Sequence, residues 1–220
     1  MIRAVRRVAA VAVVGAVLVG GVAGCGGDGP APAPAPRSAA RKIDPARGLT
    51  QEQAERALLV ASDLPLGFQA QDGSPDASAL GCAGIDRVYL ADGAAARAET
   101  SFGHAVSPAF VNETITTRPG GAEPALAGFR RAAQDCASFT GRDGTVYRIA
   151  ALAMPSYGNG SAAVRVTSGL SEARPVDLVA VRLGDTILVV ASAGAGTDDD
   201  ELARTVLARA VVKIARTRAR

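Results

Sequence analysis

Of the 220 residues, 24 are Lys or Arg and 21 are Asp or Glu, a net charge of +3. Three of the bases, Arg3, Arg6 and Arg7, fall in the first 24 residues, which hold no acid, so the remainder is balanced at 21 against 21. With no Trp, three Tyr and five Phe, that remainder lacks the basic patch and stacking rings of a general nucleic-acid surface, and no nucleic-acid partner is expected.

The chain begins with the parts of a secretory signal. Basic Met1–Arg7 precedes Val8–Gly21, a run of Val, Ala, Leu and Gly without a charge. At about 14 residues this run is short of the ~20 that span a bilayer as a helix. Gly15, Gly20 and Gly21 weaken it further as a helix. Val22-Ala23-Gly24-Cys25 follows, and it resembles the cleavage motif of bacterial lipoprotein signal peptides at all four positions. The resemblance implies removal of residues 1–24 and acylation of Cys25, so the first expected partner is membrane lipid.

Residues 25–48 then read as the lipidated cysteine and a linker. Pro30, Pro32, Pro34 and Pro36 alternate with alanine, which favours extended polyproline II and supplies no core. At ~3.1 Å per residue, Gly26–Gly48 reaches up to roughly 70 Å. Two cysteines remain, Cys82 and Cys136. An exported chain favours a disulfide between them, with two separate buried thiols as the rival reading. With His104 as the lone histidine, the set lacks the ligand spacing of a zinc site, and no metal or cofactor is expected.

Residues 49–216 carry the pattern of one folded domain. Thr50 and Gln53 form a capping box, and Ala54, Ala57, Leu58 and Ala61 share a face, predicting a helix over 51–61. Pro65 and Gly67 then turn the chain, and 69–79 reads as a polar loop. A short helix is expected over Cys82–Leu90, with Ile85, Val88 and Tyr89 inward. Strands follow at 96–106 and 109–117, the second rich in β-branched residues. Gly120–Ser138 is helical in pattern, with Leu126, Phe129, Ala133 and Cys136 on its buried face.

The second half is strand-rich. Thr145–Met154 is entered through Gly141-Arg142-Asp143-Gly144 and left through the Pro155–Gly160 turn. Ala162–Thr167 alternates cleanly. Val176–Leu183 and Thr186–Ser192 flank Gly184-Asp185, a two-residue hairpin signal. Thr197–Arg216 closes the chain as a helix capped by Thr197 or Asp198, with Leu202, Val206, Ala210 and Ile214 as its stripe. Acids 198–201 suit its positive end, and Arg209, Lys213 and Arg216 its negative end. The expected fold is α+β: a single domain with a mainly antiparallel sheet and helices packed on one face.

Chemistry-bearing motifs are sparse. Gly194-Ala195-Gly196 lies between strand and helix like a phosphate loop, but Asp198, Asp199 and Asp200 would repel a phosphate there. Gly158-Asn159-Gly160 precedes a strand rather than a helix. The contiguous Asp198–Glu201 run lacks calcium-loop spacing and is read as helix-end compensation. His104 would have to serve any Ser-His-Asp enzyme, yet no nucleophile elbow is present. Asn112-Glu113-Thr114 matches a glycosylation acceptor and is read as chance. No catalytic residue is assigned, and ligand-binding residues are unknown at this level.

Arginine outnumbers lysine 22 to 2, a bias that fits a GC-rich genome such as an actinobacterium's. Leu64-Pro65-Leu66-Gly67-Phe68 after a short helix, Cys82 with Cys136, the Tyr147 strand and the Gly184-Asp185 hairpin are together similar to the extracellular sensor domains of actinobacterial Ser/Thr kinases and the lipoproteins sharing that domain. The resemblance spans about residues 49–216. It implies an α+β domain with a cleft over an antiparallel sheet for a small envelope ligand. Such sensors can carry two disulfides, and this chain has residues for one, so no cleft residue is carried over. The expected function is a non-enzymatic, sensor-like binding domain on the extracytoplasmic face of the cell membrane, with an envelope ligand or protein as second partner. A lipid carrier and an envelope hydrolase are the alternatives.

Overall fold

The computed structural model describes residues 47–72, 80–89, 93–141, 144–170, 174–194 and 199–219. The expectations for the leader, Cys25 and nearly all of the linker lie outside these residues. So do most of the 69–79 loop, Leu90, Arg142-Asp143, Ala195-Gly196 and the Thr197/Asp198 cap. The elements below belong to one folded unit, Arg41–Arg220; the other unit, Met1–Ala40, holds no described residue.

Helix α1, Gln51–Ala57, opens with the capping box: the Gln53 N–H donates to Thr50 Oγ1 at 3.2 Å and the Thr50 N–H to Gln53 Oε1 at 3.0 Å. It ends a turn earlier than its periodicity predicts. Leu58 swings to ψ 143°, and the Leu59 N–H donates to the Glu113 carboxylate at 2.7 Å instead of extending the helix. A buried acceptor 54 residues away thus outcompetes the local pattern. A 3-10 turn, Ala61–Asp63, follows, and Leu64 is extended before Pro65. Gly67 sits at φ +98°, where a Cβ would fall 2.3 Å from His104 Nε2.

The strands are β1 (Phe68–Ala70), β2 (Ala96–His104), β3 (Phe110–Thr117), β4 (Ser138–Thr140), β5 (Val146–Ala151), β6 (Gly160–Ser168), β7 (Val176–Leu183) and β8 (Thr186–Ala193). Helix α2 is Ala83–Tyr89, α3 is Ala122–Asp135 and α4 is Asp199–Arg218. One antiparallel sheet has the order β1-β2-β3-β8-β7-β6-β5-β4. The α+β architecture therefore stands. Strands β1 and β4 are additions: β1 takes the start of the expected loop, and β4 takes the tail of the expected helix, which stops at Asp135.

The one-face arrangement of helices is corrected. Along β7 and β8, Val179, Val181, Leu188 and Val190 join α1 and α4 in one core. Their neighbours Leu178, Ala180, Ile187, Val189 and Ala191 join α2 and α3 in a second core. Successive strand residues point to opposite faces, so helices cover both. The near-continuous apolar composition of β7 and β8 is the mark of strands buried on both sides. Asp177, fully buried, is held by Arg165 through two hydrogen bonds of 2.6 and 2.8 Å.

Leu49 fastens the start of the domain. Its N–H donates to Thr186 Oγ1 at 3.1 Å, and its carbonyl accepts from Thr117 Oγ1 at 2.8 Å. At the other terminus, α4 buries Ala203, Val206, Leu207, Ala210 and Ile214. Arg209 and Lys213, expected to serve the helix's own negative end, instead reach Asp63: Arg209 donates to its carbonyl and Lys213 pairs with its carboxylate at 2.7 Å.

Candidate functional site

Helices α2 and α3 make the candidate site. Gly84 of α2 lies so close to α3 that a Cβ there would be 2.7 Å from the Gly128 carbonyl. A disulfide joins Cys82, just before α2, to Cys136, the residue capping the C-terminus of α3, with Cα atoms 5.9 Å apart. The start of α2 is thereby tied to the end of α3, and the end of α2 lies toward the start of α3. Ile85, Val88, Leu126 and Phe129 fill the space beneath, all fully buried.

Where Ala83, Asp86 and Arg87 of α2 face the first turn of α3, a cleft of about 550 Å³ opens. It is lined by Ala83, Asp86, Arg87, Arg118, Gly121, Pro124 and Ala125. The Asp86 carboxylate accepts from the Leu80 N–H at 2.7 Å and the Gly81 N–H at 3.2 Å. Arg118 leaves the end of β3 in a turn held by the β7–β8 hairpin. The Arg118 N–H donates to the Asp185 carbonyl at 2.7 Å, and the Gly120 N–H to Asp185 Oδ1 at 3.3 Å. The Gly184-Asp185 hairpin signal thus has a second role, shaping the floor of the cleft, that the sequence does not disclose.

The same face of the sheet continues as a polar stripe. Asn112, Thr114 and Thr116 of β3 alternate toward the α2–α3 side, beside Ser101 of β2, which pairs with Asn112. Thr116 and Ser101 are buried, and among the described residues their hydroxyls have no hydrogen-bond partner. Asn112, the expected chance acceptor, lies within this central strand.

The opposite face holds a second polar anomaly. Glu113 is fully buried; its Oε2 accepts from Leu59, and its Oε1 has no partner among the described residues. Burial pushes its carboxyl up to about 7, against the Leu59 hydrogen bond and the Lys213 charge, with Asp63 adding to the rise. At Asp63 burial also raises the pKa, but hydrogen bonds from Lys213 and the Val60 N–H, with the Lys213 and Arg209 charges, hold it below the usual carboxylate value.

Of the residues singled out from sequence, Cys82, Cys136 and Asp185 border the α2–α3 cleft, and the others fall elsewhere. The His104 ring packs edge-on against Phe68 at 5.2 Å, and its Nδ1 accepts from the Val106 N–H at 3.4 Å. Asn159 is structural, its Oδ1 accepting from the Gly184 N–H at 2.7 Å. Asp200 pairs with Arg204 at 3.4 Å. Among the described residues no three His, Cys, Asp or Glu side chains converge as metal ligands, and no helix is long and apolar enough to cross a membrane.

Together these features define an α+β domain whose single antiparallel sheet is sandwiched by helix pairs and whose cleft opens between two disulfide-linked helices. No family model matches the chain, and no curated protein does. Among solved structures it is similar to the extracellular domain of PknH from Mycobacterium tuberculosis, with a TM-score of 0.58 over 78% of this chain and 99% of that one. Sequence identity is 16%, and the likeness is one of fold.

Proposed function

We propose that this chain is an extracytoplasmic, lipid-anchored binding domain of the sensor type, without catalytic activity of its own. The observation that carries the reading is the fold, similar over nearly the whole of a kinase's extracellular domain. The lipobox at Val22–Cys25 supports it, because an exported, acylated chain reaches the same side of the membrane that an extracellular domain occupies. The α2–α3 cleft is the binding site in this reading. Its size suits a small-molecule ligand, since such sites run from roughly 300 Å³ upward.

The test is metabolic labelling with an alkyne palmitate in an actinobacterial host, followed by protease treatment of intact spheroplasts. Wild-type protein is expected to be labelled, membrane-bound and protease-accessible. Cys25→Ala is expected to lose the label and its membrane retention. Equal labelling of both, or a cytosolic, protected product, removes the reading.

A further inference from the structure

Glu113 is a carboxyl group in an apolar core whose surroundings suit one charge state. Its Oε2 accepts from the Leu59 N–H at 2.7 Å, and its fully buried Oε1 has no partner among the described residues. Beside it runs Leu58–Leu64, the strap that links α1 to the turn before β1. Among the described residues, the polar side-chain contacts of this strap with the rest of the domain are Leu59 with Glu113, and Asp63 with Arg209 and Lys213. Leu59 and Leu64 are buried in the same core.

The charges that face Glu113 are Lys213, from α4, and Asp63, from the strap itself. Lys213 is already paired with Asp63 at 2.7 Å, and Arg209 of α4 meets the Asp63 carbonyl. On the sheet, the cross-strand partners of Glu113 are the uncharged Thr100 and Val190. His104, further along β2, packs on Phe68. The charged residues of α1, Glu52, Glu55 and Arg56, are exposed. One ammonium thus serves one carboxylate while Glu113 is neutral, and faces two once it ionises. A buried carboxylate with an unfilled oxygen is strongly disfavoured. Lifting the strap lets water reach it without parting any strand pair, the kind of local opening that precedes global unfolding. We propose that Leu58–Leu64 is a proton-held latch, closed while Glu113 is uncharged and lifted when Glu113 ionises. The device needs neither the α2–α3 cleft nor the membrane anchor.

The experiment is amide hydrogen exchange of the full chain in dodecyl maltoside from pH 5 to 8, each rate divided by the intrinsic rate at that pH. Burial holds the closed-state pKa of Glu113 up to about 7. The opening constant at Leu59 and Leu64 is therefore expected to rise about tenfold per pH unit to about pH 7 and then level off. Amides of α2, whose opening leaves Glu113 buried, should show no such rise, and the strap should stay less protected than β7 and β8 throughout. In Glu113→Gln the rise should vanish, which separates Glu113 from His104. A flat wild-type profile, the same rise in Glu113→Gln, or strap protection equal to that of β7 and β8 at every pH overturns the latch. Should Glu113→Gln not fold, Lys213→Met decides. Loss of the cation that favours the ionised form should carry the plateau above pH 7, and an unmoved plateau overturns the proposal.

Discussion

At the scale of single residues, Glu113 has the clearest consequence for stability. Its folded pKa is raised from 4.5 to about 7, so between those values the native state holds a proton that the unfolded chain has lost. The stabilisation is therefore complete below about pH 4.5 and declines as pH rises toward 7, by on the order of 3 kcal/mol. Glu113→Gln keeps an acceptor for the Leu59 N–H but cannot titrate. Chemical denaturation from pH 5 to 8 should give a falling stability for wild type and a flatter profile for the variant; parallel profiles would show that Glu113 does not titrate in this window. Gly67 yields a second expectation. Gly67→Ala meets both a positive φ and the His104 ring, and should lower stability by about 1–3 kcal/mol, read as a drop in Tm. Gly67 was legible in the sequence because a turn after Pro65 demands such a residue. Glu113 was not, because its burial depends on helices that precede and follow it by more than fifty residues.

At the scale of elements, legibility followed length and local pattern. The Thr50 cap, the long strands β2, β3 and β6–β8 and the Gly184-Asp185 turn rest on near neighbours, and the sequence discloses them. Strands β1 and β4 are three residues each, lie at the two edges of the sheet, and exist only because a longer neighbour pairs with them. The end of α1 is set by a distant carboxylate in the same way. The candidate cleft was invisible for a related reason: Arg87 lies on α2, Arg118 and Gly121 lie in the turn between β3 and α3, and none stands in a motif. The Cys82–Cys136 bond spans 54 residues and joins the elements that build this cleft. Cys82→Ala with Cys136→Ala should cost about 4 kcal/mol in the chain-entropy account. Hydrogen exchange should report faster opening of α2 than of β7 and β8. Uniform acceleration across the sheet would instead mean that the bond supports the whole fold.

For the molecule as a whole, the decisive contact is β3 with β8, whose paired residues run from Phe110 with Ala193 to Thr117 with Thr186, far apart in sequence and adjacent near the centre of the sheet. It joins β1–β3 to the meander β4–β8 and brings β8 between two apolar cores. Composition alone could suggest two-sided burial of β7 and β8, but not which helix would take which face. The clamp at Leu49 touches this same seam, since Thr117 ends β3 and Thr186 begins β8. Tension applied to the chain at Leu49 therefore enters at the middle of the sheet. There it meets a full ladder on either side, whereas an edge strand could be peeled away one bond at a time.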